Sequence, residues 1–149
     1  MQLMASINLK NHPELVRLLE DGEDLQDLLS LPPEDVLIRW VNYHMKEAGN
    51  PRRLTKSNFG KDMKDSELYT VLLNQIDSRA CDLKALQVKE NKKRAPHVIR
   101  NAGQLPPAHG GEKLVPIIDS DVIASGNKRL NYAFLAQIFN HNPGCVPLL

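Results

Sequence analysis

Apolar residues in this chain recur at helical spacing, and no segment sustains the period of two that a half-buried strand requires. The clearest pattern lies in residues 34–48. Leu37, Trp40, Val41, His44 and Ala48 fall at i, i+3, i+4, i+7 and i+11, one stripe along a helix. Glu34 and Asp35 stand where a helix dipole favours anions, and Lys46 where it favours cations. Gly49 is the expected stop. A second helix, capped by Asp65 or Ser66 and reaching about Ile76, carries Leu68, Tyr69, Val71, Leu72, Leu73 and Ile76 on more than one face. It is expected to be central and mostly buried. Ala95, Val98, Ile99 and Ala102 give a third helix, starting near Lys92 or Lys93, with Pro96 in its first turn and Gly103 closing it. Leu130, Phe134, Leu135, Ile138 and Phe139 are the inward residues of a last helix, capped by Asn127 and ended by Pro143 and Gly144.

Shorter elements lie between and before these. Pro13 suits the first position of a helix carrying Leu15, Leu18 and Leu19, and residues 25–31 place Leu25, Leu28 and Leu29 together. Asp119 can cap one or two turns through Val122 and Ile123. Residues 50–64 form a polar, basic loop with Phe59 as its apolar anchor, and residues 77–87 form a connector. Residues 104–116 hold three prolines and two glycines, an irregular loop. The one strand-like run, 114–118, is interrupted by Pro116. The fold class is therefore all-α. Its 149 residues are one domain's worth, read as a leader with short helices over 1–30, a domain over 31–144 and a tail over 145–149.

The formal net charge of +1 is too near neutral to point to nucleic acid or a membrane surface. Cys81 and Cys145 have no companion in a CxxC, so a reducing, cytoplasmic setting is the simpler expectation. No run approaches 18 apolar residues, and no basic region precedes an apolar one at the start.

Catalytic motifs are missing. There is no phosphate-binding G-x-x-x-x-G-K-[ST], no GxGxxG and no GxSxG, and Gly110-Gly111 with Lys113 does not follow a strand. His44, on the apolar stripe, reads as a core histidine with one hydrogen bond. His141 and Cys145 are spaced like a metal pair, but the second pair of ligands is lacking. Asp62 with Asp65, and Asp119 with Asp121, lie at loop-to-helix junctions where carboxylates accept backbone N–H bonds, so acid–base chemistry is not their expected role. No enzyme activity, metal or cofactor is expected. Two basic clusters remain: Arg52, Arg53 and Lys56, then Lys89, Lys92, Lys93 and Arg94. They read as a solvated surface or as docking sites for an acidic partner. Few aromatics stand near them, which argues against single-stranded nucleic acid.

The stretch Leu-Pro-Pro-Glu-Asp-Val-Leu-Ile-Arg-Trp-Val-Asn-Tyr-His, residues 31–44, resembles the opening helix of a calponin-homology domain of the fimbrin (plastin) type. Three further stretches agree in order. They are Asn58 through Asn74 with Phe59, Tyr69, Leu72 and Leu73, then Arg94-Ala95, then residues 130–144. The leader resembles the segment joining the first and second domains of that family. The resemblance covers about four-fifths of the chain. Two features depart from the family pattern: Pro96, and the length and proline content of residues 104–116.

The resemblance implies four main helices plus short connecting ones, and function by partnership. In that family, tandem calponin-homology domains bind filamentous actin, and two tandems in one chain crosslink filaments into bundles. This chain looks like the second domain of the first unit. That domain is the weaker half, which adds contacts through its first helix and regulates by packing on the first domain. It carries no D-x-[DN]-x-[DN]-G calcium loop. Arg39, Lys46, Arg52, Arg53 and Lys56 are basic and lie on or just after that helix. They are the candidate contacts with filamentous actin or the preceding domain. A monomer in the cytoplasmic cytoskeleton is implied. The alternative is a scaffold module for a signalling or microtubule partner.

Overall fold

The computed structural model describes residues 18–108 and 110–144, with every side chain there except those of Leu25, Leu29 and Asn58. The helix begun at Pro13 and the tail with Cys145 lie outside the described residues. Among the described residues are six α-helices and no strand. They are α1 (Leu25–Leu29), α2 (Pro33–Glu47), α3 (Glu67–Ile76), α4 (Asn91–Gly103), α5 (Ser120–Ser125) and α6 (Lys128–His141). Four are long, and 3₁₀ turns at Lys56–Asn58, Lys61–Met63 and Lys84–Gln87 punctuate the loops.

The ends of these helices follow local chemistry. Asp24 accepts from the Asp27 N–H at 3.0 Å, and Asp27 accepts from the Asp24 N–H, a reciprocal cap on α1. That helix stops at Leu29, short of Leu31, because a residue before proline disfavours helical dihedrals. Pro33 takes the first position of α2, where its missing N–H costs nothing. At the far end Gly49 turns left-handed at φ 74°. Of the two caps open for α3, Asp65 serves: its Oδ1 accepts from the Glu67 N–H at 3.1 Å. Ser66 is instead held at φ 64° with no capping bond. Asp119 and Asn127 cap α5 and α6 through the N–H groups of Val122 and Leu130.

Three sequence expectations need correction. Ala48 is exposed, because α2 ends at Glu47. The buried stripe is Val36, Leu37, Trp40, Val41, His44 and Met45. Pro96 is not in the first turn of α4. The helix begins at Asn91, so Pro96 is its sixth residue and cannot donate to the Lys92 carbonyl, a loss worth about 3 kcal/mol in a helix interior. It is tolerated on the exposed side, after a first turn closed by Lys93 and Arg94 N–H bonds to the Glu90 carbonyl. Leu130 does not pack inward: it is 40% exposed, one position off the face built by Asn131, Phe134, Leu135, Ile138 and Phe139. Asn131 takes the inner place, accepting from the Tyr69 hydroxyl at 2.6 Å and donating to the Asn127 carbonyl at 2.7 Å.

The core gathers between α2, α3 and α6. Trp40 is fully buried, edge-on to Phe139 at 5.1 Å between ring centres. Phe59 anchors its loop as expected, stacked near Tyr132, and Leu54 and Met63 of the same loop are buried with it. Leu18 and Leu28 also enter this core, so the segment before α2 packs on the domain. α3 packs against both α2 and α4, which suits its many buried residues.

Candidate functional site

α2 has two working faces. Its inner face fixes the end of the chain's described part. The indole Nε1 of Trp40 donates to the Pro143 carbonyl at 2.8 Å, and Nε2 of His44 lies 2.8 Å from the same oxygen. That oxygen accepts from both, so Nε2 carries the His44 proton. Burial pushes the His44 imidazole below its ordinary value of 6.5, although the Pro143 carbonyl, Gln75 and Glu47 each pull it upward. The unfolded chain therefore takes up a proton near pH 6.5 while the folded domain stays neutral there. Stability should fall as pH drops below about 6.5, by at most about 1.4 kcal/mol per pH unit, until the folded imidazole itself titrates. In urea denaturation at stepped pH, the gap between wild type and His44→Gln should narrow on acidification. A gap that widened would reverse the assignment.

The outer face of α2 forms a groove of about 510 Å³. Leu18, Leu19, Ile38 and Tyr43 supply its apolar lining, and Arg39, Lys46 and Arg53 are its cations. Asn42 fixes the far wall: its amide donates to the Leu54 carbonyl at 3.0 Å and accepts from the Leu54 N–H at 2.7 Å. The Asn50 N–H adds a bond to the Met45 carbonyl at 2.9 Å. These contacts seat the 50–54 turn, and so Arg53, beside the end of α2.

The five candidate cations meet different fates. Arg39 reaches back to the segment before α2. It pairs with Glu23, approaches Glu20 at 3.7 Å and donates to the Leu18 carbonyl at 3.3 Å. Its hydrogen bond holds the Glu23 carboxyl below the usual value. Arg52 leaves the groove altogether. It binds Asp65 at 3.0 Å, Glu67 at 2.5 Å and the Asp62 carbonyl at 3.1 Å, tying its loop to the start of α3. Lys56 pairs with Asp35 at 3.0 Å, at the groove's edge. Arg53 is exposed and caps the carbonyls of Asn50 and Arg52 at 2.6 and 2.8 Å. Lys46 is exposed and makes no ion pair among the described residues. The structure thus brings Arg39, Lys46 and Arg53 to one groove, places Lys56 at its margin and turns Arg52 away. Sequence reasoning missed the groove's floor. Its signal was present, since Ile38 and Tyr43 are apolar residues off the inner stripe.

Among the described residues no group of three or more His, Cys, Asp or Glu side chains could hold a metal ion. No described helix is long and apolar enough to cross a membrane. Cys81 is buried, donates to the Asn101 carbonyl at 3.2 Å, and burial pushes its thiol up to about 12. It is no nucleophile at neutral pH.

An all-helical bundle of four main helices, with a buried tryptophan on the first and short connecting turns, defines the class. The sequence pattern of the calponin homology (CH) domain matches residues 31–144. The chain is 47% identical over 146 residues to fimbrin of Saccharomyces cerevisiae, an overlap of 98% of this chain and 21% of that protein. It is 40% identical over 151 residues to plastin-1 of Bos taurus, covering 95% of this chain and 22% of that one. The crystal structure of the actin-crosslinking core of Schizosaccharomyces pombe fimbrin superposes with a TM-score of 0.71 at 41% identity, over 85% of this chain and 26% of that chain. The chain belongs to the calponin-homology family, in its fimbrin and plastin branch. It spans about a fifth of the length of the relatives it matches.

Proposed function

We propose that this chain is an actin-filament-binding module, the second and weaker member of a tandem pair in a longer bundling protein. It contacts the filament through the outer face of α2 and is regulated by packing on the preceding calponin-homology domain. It works as a monomer on the cytoplasmic cytoskeleton and catalyses nothing.

The observation that carries this reading is the open groove on α2, apolar at its floor and rimmed by the exposed Lys46 and Arg53 together with Glu20 and Glu47, on a helix whose inner face is closed by the core. The naming of a fimbrin relative's core as actin-crosslinking supports it. Lys46 and Arg53 are the direct contacts proposed, while Arg39 and Lys56 hold the groove's walls through their internal ion pairs and Arg52 tethers its loop to α3. One groove is a small footprint, and interfaces well below about 1,200 Å² are weak. A linked second module then raises avidity without new contacts here.

Co-sedimentation of the 149-residue chain with filamentous actin tests the reading. Weak binding is expected at about 50 mM salt, and it should fall as salt shortens the screening length below about 10 Å. Tight, salt-insensitive binding, or none at low salt, would contradict it.

A further inference from the structure

α4 turns a second surface outward, one that shares no lining residue with the α2 groove. The helix carries Lys92, Lys93, Arg94 and Arg100 and no acidic residue. Arg94 is committed inward, to the carbonyls of Val88 at 2.5 Å and Asp65 at 3.0 Å. Lys92, Lys93 and Arg100 stay exposed, and among the described residues only Lys93 forms an ion pair, with Glu90 at 3.6 Å. Beside them lies a cleft of about 400 Å³ lined mainly by Pro96, Ile99, Arg100, Pro116 and Ile118. Asp119 also borders it, but its carboxylate is engaged as the cap of α5.

The wall of the cleft is the 114–118 segment. Leu114 and Ile118 are buried, whereas Val115 is 78% and Ile117 58% exposed. No strand holds this segment. The side chain of Gln137 on α6 replaces one: its Nε2 donates to the Val115 carbonyl at 2.7 Å, and its Oε1 accepts from the Ile117 N–H at 3.0 Å. The segment is thereby tied to α6, with Val115 and Ile117 in water while Pro116 and Ile118 line the cleft. Pro96 lies on the same side and leaves the Lys92 carbonyl without its helical donor. Pro96 and Pro116, the latter at the end of the irregular 104–116 loop, meet at this one cleft.

We propose that this cleft docks an extended acidic segment of a partner protein. One large apolar side chain enters between Pro96 and Pro116, over Ile99 and Ile118, and flanking carboxylates meet Lys92, Lys93 and Arg100. The charge decides the occupant. The cleft's edge carries Lys92, Lys93 and Arg100 against the carboxylates of Glu90 and Asp119, a net positive rim, so an acidic segment is favoured over a basic one. The Gln137 clamp lowers the ordering cost of binding, because the wall is already set. The surface is free while α2 contacts a filament, so the module can hold a second partner there.

Selection of a random twelve-residue peptide library on the 149-residue chain tests this, followed by fluorescence anisotropy of the enriched peptides. Enriched peptides should place an aromatic or large aliphatic residue among Asp and Glu. Arg100→Glu, in the lining, and Ile117→Asp, which sets a carboxylate beside the lining Pro116 and Ile118, are both at exposed positions and should each weaken them about tenfold with thermal melting unchanged. Enrichment of basic or uncharged peptides, no enrichment, or binding kept by either folded variant would overturn the proposal. Self-association of the chain lost in Ile117→Asp would also overturn it, making a second copy the occupant.

Discussion

Replacing Trp40 by alanine should lower the free energy of unfolding by about 3–5 kcal/mol, enough to unfold a domain of ordinary marginal stability. The indole is fully buried, meets Phe139 edge-on, and donates to the Pro143 carbonyl. Alanine leaves a cavity between α2 and α6 and removes one of the two donors on that oxygen. Trp40→Phe separates the two losses. It keeps most of the packing and should cost roughly 1–3 kcal/mol, from one lost hydrogen bond on an oxygen that His44 still serves plus the contacts of the missing ring. Far-UV circular dichroism in urea reads both variants without relying on the lost fluorophore. A Trp40→Ala shift under about 1 kcal/mol would show that the indole is not the centre of the core.

Gly60→Ala should be strongly destabilising although it adds a single methyl group. Gly60 sits at φ −92°, which alanine adopts freely, so backbone conformation is no objection. Space is. A Cβ there would stand 2.3 Å from the Gly126 carbonyl oxygen and 2.8 Å from the Lys128 N, backbone atoms at the junction of α5 and α6. Backbone cannot swing aside as a side chain can. The cost should be about 3 kcal/mol or more, a melting temperature lower by roughly 6–12 °C. Gly49→Ala is the useful contrast. It has open space around it but a φ of 74°, and strain alone should cost about 1–2 kcal/mol. Equal melting temperatures for the two variants would mean that the α5–α6 junction yields.

The helices were legible because one rule, apolar residues three and four apart, records burial directly. It located α2, α3, α4 and α6, and short polar residues marked the caps at Asp119 and Asn127. The rule fails where a helix starts or stops. Ala48 and Leu130 continue the spacing past the point where α2 still packs, or before α6 does. Pro96 misled for a related reason: its exposed position spares the helix, and exposure is not written in a single residue. The candidate site was legible only in part. Basic residues near α2 were visible, but their partners were not. Arg39 finds Glu23 sixteen positions back and Arg52 finds Glu67 fifteen positions on, distances that only the packing of the segment before α2 and of the 50–64 loop can close. Hence Arg52 reads as a surface cation in the sequence and is a tether in the structure.

The sharpest test reverses the two exposed charges at the groove's rim. Lys46→Glu and Arg53→Glu lie on exposed positions and should lower thermal melting only slightly, through the lost Arg53 caps and the reversed charge in the last turn of α2. Combined in one chain, they should weaken co-sedimentation with filamentous actin at low salt about tenfold and flatten what remains of its salt dependence. Undiminished binding by that double variant, correctly folded, would place the filament contact somewhere other than the outer face of α2.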